Sequence, residues 1–224
     1  MSTAATDYIE SLAGLSPGES VVFHDVDFED YRLLLQELGE SSHLRISYSN
    51  GRLEVMSPTT KHERYKSLIN ELVLAICYEL EMDVISFGSF TMRMDGLPKG
   101  AEADDCFYIQ HAAALAGKDD LELGKDPPPD LVVEVDLAHD SRSKLDIYAS
   151  LGIPEMWRYD GTRLSILRLV DSAYVDGRFS VCFPFLSGER LTELIGSLAP
   201  GTHKARRSLR QWIRANRPRH SESR

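Results

Sequence analysis

The helical period appears first over residues 25–40. There Phe28, Tyr31, Leu34, Leu35 and Leu38 recur on one face, behind Asp27 as a candidate N-cap and ahead of Gly39 as a stop. Residues 43–58 switch to alternation on either side of Asn50-Gly51, a dipeptide suited to a tight hairpin. The longest helical pattern follows at 59–81, with Tyr65, Leu68, Ile69, Leu72, Val73, Ile76 and Leu80 as its apolar stripe. Strand patterns occupy 84–93, 104–109 and 130–136, and residues 141–152 return to the helical period. Two further hairpins are predicted, one over 155–169 turning at Asp160-Gly161 and one over 172–185 turning at Asp176-Gly177. Residues 188–198 and the basic C-terminus read as closing helices, and Pro127-Pro128-Pro129 makes 123–129 a loop. The core order of helix, three strands, helix and strand predicts an α/β fold: a mixed sheet with flanking helices and extra hairpins. Residues 25–200 then form a single domain, with 1–24 an N-terminal extension and 201–224 a tail.

Composition adds little to that picture until charge is considered. At 42% hydrophobic residues the 224-residue chain can bury a sizeable core. Cys77, Cys106 and Cys182 have no paired spacing, which argues against a disulfide or zinc framework and suits a reducing compartment. The N-terminus lacks a basic start followed by an apolar run, and the apolar stretch 72–77 is too short to span a bilayer. A soluble, cytoplasmic protein is expected. The net charge is −10, yet residues 201–224 hold eight Lys or Arg and one acid, so a tail of about +7 follows a body of about −17. Three readings of the tail compete: a solvated terminal helix, a helix docked on the acidic body, and a phosphate-contacting stripe of Arg206, Arg210 and Arg214.

The strand "DLVVEVD" at 130–136 carries the chemistry. Leu131, Val133 and Val135 face one side, while Asp130, Val132, Glu134 and Asp136 face the other. Acids in so apolar a strand are costly unless they lie at a wet edge or meet a cation. A second acid group, "AEADDC" at 101–106, lies on the preceding strand pattern, close enough for Asp104 and Glu134 to meet across neighbouring strands. Two such carboxylates raise each other's pKa unless a cation holds both ionised. Mg²⁺ suits this pair, because it needs one or two carboxylates and keeps several waters. If mutual repulsion dominates, removing one acid relieves the other and leaves the fold intact.

The strings "GRLEVMSPTTKHE", "GAEADDCFYIQ" and "DPPPDLVVEVDLAHDSRSKLDIYASLGIPEMWRYDG" resemble the Uma-two family of restriction endonucleases, within the PD-(D/E)XK nuclease superfamily. The resemblance spans roughly residues 25–170, and "PDLVVEV" with "PEMWRYDG" is its most specific part. It implies a restriction-endonuclease-like core and a homodimeric, Mg²⁺-dependent DNA endonuclease, with Mn²⁺ as a substitute. Asp104 and Glu134 match its metal-binding carboxylates, although Ala103 stands where the family usually has proline. The superfamily lysine two residues after the glutamate is here Asp136; Lys144, on the following helix pattern with Tyr148 and Leu151, matches the family's alternative. Its ammonium would orient the attacking water or stabilise charge on the phosphate.

His62 and Glu63 occupy positions where the family carries a histidine and an acid. Each also has a plainer reading: His62 as an exposed first-turn residue, Glu63 as the partner of Thr60 in a capping box. Asp130 reads better as the anchor of the loop-to-strand turn, Asp136 as either a site acid or an edge charge, and Tyr148, Trp157 and Tyr159 as core. The leading function is phosphodiester hydrolysis in DNA. The rival is a nuclease-fold binding module without turnover, favoured by the acidic body and by Asp136 should Lys144 not reach the site. A metal-free glycosidase-like carboxylate pair is weaker still, since the long aromatic-rich loops of sugar binding are missing.

Overall fold

The computed structural model describes residues 3–39, 43–94, 96–137 and 140–218. Glu40 at the end of the first predicted helix, and Arg219, Glu222 and Arg224 of the tail, lie outside that range. Two sheets organise the chain. The first has strand order β1-β3-β2-β6-β5, with every pair antiparallel: β1 Ser20–Phe23, β2 Arg45–Ser49, β3 Arg52–Met56, β5 Thr91–Arg93 and β6 Lys99–Glu102. The second has order β11-β10-β9-β8-β7-β4: β4 Ile85–Ser86, β7 Asp105–Tyr108, β8 Leu131–Val135, β9 Glu155–Tyr159, β10 Leu164–Val170 and β11 Ala173–Gly177. Only β8 and β9 run parallel in it, and the crossover that joins them carries helix α4, Leu145–Ser150.

Helix α3, Thr60–Leu80, forms on the predicted apolar stripe and buries Leu68, Ile69, Leu72, Val73 and Ile76 against one face of the second sheet. The inward residues of β8 on that face are Leu131, Val133 and Val135, as the alternation requires. The opposite face carries Val132 and Met156, covered by Ile147 and Tyr148 of α4. Helices α1, Thr3–Leu12, and α2, Phe28–Leu38, close the first sheet, where Tyr31 stacks on Tyr48 at 4.9 Å. Asp27 and Gly39 bound α2 as expected, with Gly39 at φ 65°.

Several elements differ from the sequence pattern. Residues 1–24, expected to be an extension, contain α1 and β1, and β1 forms the edge of the first sheet. The single strand predicted over 84–93 is broken at Gly88, whose φ of 63° turns the chain out of β4; β5 then joins the other sheet. The last hairpin turns at Asp171-Ser172, both with positive φ (47° and 70°), rather than at Asp176-Gly177. Gly177 instead pairs with Ile166, and a Cβ there would lie 2.7 Å from the Arg168 side chain. An undifferentiated β pattern reports period, not which sheet or register the chain selects.

The basic tail is docked. Helix α6, His203–Asn216, buries Leu209 and Ile213 with α3 and with α5, Gly188–Leu198. Arg206 donates to Glu71, and Arg210 and Arg214 both donate to the buried Glu79 of α3. The three arginines of the proposed phosphate stripe are therefore all paired to the body, through two carboxylates. Hydrogen bonds from Arg214 pull the Glu79 carboxyl below its ordinary range; burial opposes them, and Arg210 adds to the pull. A depressed folded-state pKa contributes stability that is present above the unfolded value and lost as pH falls through the folded one. The stability difference between wild type and Glu79→Gln, read by urea denaturation, is accordingly expected at neutral pH and should vanish in strong acid. An equal difference at every pH refutes the ionised pairing.

Candidate active site

The site lies where the chain passes between sheets. β6 ends at Glu102 in the first sheet and β7 begins at Asp105 in the second, so buried Ala103 and Asp104 form the joint. The register of β7 and β8 pairs Asp105 with Val133, which brings Asp104 to the Glu134–Val135 end of β8. There the Val135 N–H donates to Asp104 Oδ2 at 2.7 Å. His62, in the first turn of α3, holds the same oxygen through Nε2 at 3.0 Å.

Glu134 projects from the other face of β8, the one covered by α4. Asp136 accepts hydrogen bonds from Ser141 N (3.2 Å) and Ser141 Oγ (3.0 Å), which anchors the 3₁₀ turn Ser141–Lys144 before α4. That turn presents Lys144, whose Nζ reaches Glu134 Oε1 at 3.0 Å, Oε2 at 2.9 Å and the Glu102 carbonyl at 3.0 Å. The Tyr148 hydroxyl donates to Glu134 Oε1 as well. Thus Asp136, two residues after Glu134, fixes the turn that delivers a lysine from α4's side of the sheet. All three ammonium donors are engaged.

Asp104, Glu134, Lys144, His62 and Glu63 converge. Asp130 stands apart: it accepts from Ile109 N (2.6 Å) and His111 N (3.0 Å), fixing the loop after β7. His62 is buried rather than exposed. The capping box of Thr60 and Glu63 does not form, because Thr59 is the N-cap and accepts from His62 N. Glu63 instead pairs with Arg45 at 3.1 Å. Trp157 and Tyr159 are core, while Tyr148 adds its hydroxyl to the site.

Arg45, Glu102 and the Tyr148 hydroxyl were not legible beforehand. Arg45 Nη1 lies 3.3 Å from Glu102, and Arg45 Nε lies 3.6 Å from Asp104 Oδ1. The one available signal was an arginine in the strand pattern "HLRISYS", flanked by Leu44 and Ile46. Arg45, Ser47, Glu54, Glu134, Ser143 and Lys144 line a small cleft of about 30 Å³.

Burial sets the electrostatics. It pushes the Glu134 carboxyl up to about 7; Lys144 pulls it down, and Asp104 adds to the rise. Burial also raises Asp104, but the His62 hydrogen bond, the Lys144 charge and the Val135 N–H outweigh it and leave that carboxyl below its ordinary value. For Lys144, burial disfavours the charge and the Glu134 and Asp104 carboxylates more than restore it, so its pKa is raised. His62 is likewise raised: burial lowers it, and Asp104 and Glu63 reverse the effect. The two carboxyls are thus driven apart, a division seen where paired acids take different roles.

Among the described residues, no group of three or more His, Cys, Asp or Glu side chains is arranged to hold a metal ion. Mg²⁺ asks for less than such a group, one or two carboxylates with water completing its shell. Four buried side-chain polar atoms among the described residues have no hydrogen-bond partner, and three of them are here: Arg45 Nε, His62 Nδ1 and Asp104 Oδ1. A buried carboxylate oxygen without a hydrogen bond, beside a second carboxylate, is a donor set that fits a hard cation.

A family model, Uma2, described as "Putative restriction endonuclease", matches residues 28–197. The chain belongs to this family. The family match extends from α2 into α5 and includes each of the converging side chains, while α6 lies beyond it. No curated protein matches the chain. A solved structure described as a "putative nuclease belonging to DUF820", from Anabaena variabilis, is similar at a TM-score of 0.48 and 12% identity, over 84% of this chain and 99% of that one. No helix among the described residues is long and apolar enough to cross a membrane.

Proposed function

We propose that this chain is a Mg²⁺-dependent DNA endonuclease that hydrolyses phosphodiester bonds, with Mn²⁺ able to replace Mg²⁺. The observation that supports it is the buried meeting of Asp104, Glu134 and Lys144 at the joint between the sheets, in a chain of this family. Asp104 and Glu134 would hold the cation. Bound there, it would lower the pKa of a coordinated water and offset charge developing on the phosphate.

The remaining work belongs to the chain. His62 and the Val135 N–H fix Asp104 Oδ2, which leaves Oδ1 as the free oxygen. Tyr148 and Lys144 fix both oxygens of Glu134. For Lys144 to orient the attacking water, one of its three engaged N–H donors must turn toward the cleft. Because Lys144 reaches Glu134, the argument for an inactive module from the missing lysine at 136 loses its basis. The same proposal takes the working unit to be a cytoplasmic homodimer.

The test is cleavage of supercoiled plasmid with Mg²⁺, Mn²⁺ or EDTA. Nicked and linear products are expected with either metal and none with EDTA. Equal cleavage in EDTA refutes the metal role, and no cleavage under any condition by folded, metal-loaded protein favours a binding module.

A further inference from the structure

Arg45 has no part in the mechanism above, yet it is only 8% exposed and faces three acids, on α3, on β6 and at the joint after β6. Its terminal nitrogens contact Glu63 of α3 at 3.1 Å and Glu102 of β6 at 3.3 Å. Its Nε–H has no hydrogen-bond partner and lies 3.6 Å from Asp104 Oδ1, which has none either. A guanidinium built only to neutralise Asp104 would take that carboxylate through two parallel bonds. Here the fork serves two other acids and leaves Asp104 Oδ1 unbonded, facing a fixed positive charge. The carboxylate oxygen that no hydrogen bond holds is therefore one beside which a cation meets a fixed positive charge.

We propose that Arg45 is a positioning residue that competes with the divalent cation for Asp104. It holds the acid cluster together in the cation-free protein and so sets how weakly the cation binds. The inference rests on the Mg²⁺ reading above. Buried carboxylates this close repel one another, and Arg45 offsets that repulsion. A divalent ion held by Asp104 would offset the same repulsion and would itself be repelled by the guanidinium. Removing the arginine charge should therefore weaken the cation-free protein and strengthen cation uptake at once. A residue that merely packed or preorganised the acids would move both in the unfavourable direction.

Arg45→Gln and Arg45→Lys provide the test, by calorimetric titration with Mn²⁺ and Mg²⁺ at mildly alkaline pH and by Tm with and without cation. For Arg45→Gln, cation affinity is expected to rise about tenfold or more. Its cation-free Tm should fall, and saturating Mg²⁺ should raise Tm by more than in wild type. Arg45→Lys keeps the charge and should bind within about threefold of wild type, since the charge is what competes. Cation binding by wild type with equal or weaker affinity in Arg45→Gln overturns the inference and leaves the metal site standing. No uptake by any of the proteins overturns the metal site and the inference together. If Arg45→Gln does not fold even with Mg²⁺, the wild-type protein decides by NMR. The Arg45 Nε–H resonance should shift and exchange faster on Mg²⁺ saturation, and an unchanged resonance overturns the competition.

Discussion

Glu134→Gln and Asp104→Asn are each expected to lower Mg²⁺-dependent plasmid cleavage by about three orders of magnitude or more, because each removes half of the anionic pair proposed to hold the cation. The amide variants are preferable to alanine for a structural reason. Sequence alone suggested that deleting either acid would relieve repulsion and leave the fold intact. In the structure Glu134 is the partner of Lys144, whose side chain is 11% exposed. Glu134→Ala would leave that ammonium buried and unpaired, at a cost of about 3–5 kcal/mol. Glutamine keeps an acceptor for Tyr148 and Lys144 while removing the charge. Both variants should retain the wild-type circular dichroism spectrum, and their cation affinity should fall in calorimetric titration. Cleavage within tenfold of wild type in both would remove Asp104 and Glu134 from the site.

Lys144→Ala should reduce turnover by roughly two to four orders of magnitude, the usual effect of losing one acid–base or electrostatic group. Part of that loss is indirect and can be separated by pH. The Lys144 charge lowers the Glu134 carboxyl, whose folded-state value burial has already raised to about 7. Without Lys144 that value rises further, so the carboxylate ionises only at higher pH. The deficit should therefore be larger near pH 6.5 than near pH 8.5, where more of Glu134 is ionised in both proteins. A deficit independent of pH places Lys144 outside the control of Glu134. Normal cleavage by Lys144→Ala would shift the role to another cation. Lys61, Arg64 and Arg142 are the candidates nearest in sequence, but Arg64 donates to the Ala199 carbonyl and Arg142 is paired with Asp140.

The helices of the core were legible because a 3.6-residue period over twenty positions is a strong local signal, and α3 follows its stripe nearly residue for residue. The Asn50-Gly51 hairpin was equally clear, since the turn chemistry and flanking alternation agree. The alternation of "DLVVEVD" likewise separated the face of Glu134 from that of the core-facing valines. Asp104, Glu134 and Lys144 could be named from the resemblance because they lie in motif strings. What the sequence could not determine was which partners those side chains meet. Arg45 approaches Glu102 and Asp104 from more than fifty residues away in the chain, and Tyr148 reaches Glu134 only because α4 crosses over β8. The split of residues 84–93 between two sheets was hidden for the same reason: Ile85 and Thr91 are both β-branched strand formers, and only Gly88 and the competing sheets decide between them. For the basic tail, charge alone left a solvated helix, a phosphate-contacting stripe and a docked helix all open. The burial of Leu209 and Ile213, with Glu79 waiting on α3, made the choice, because an amphipathic helix gains most where its apolar face is covered and its charges are met together.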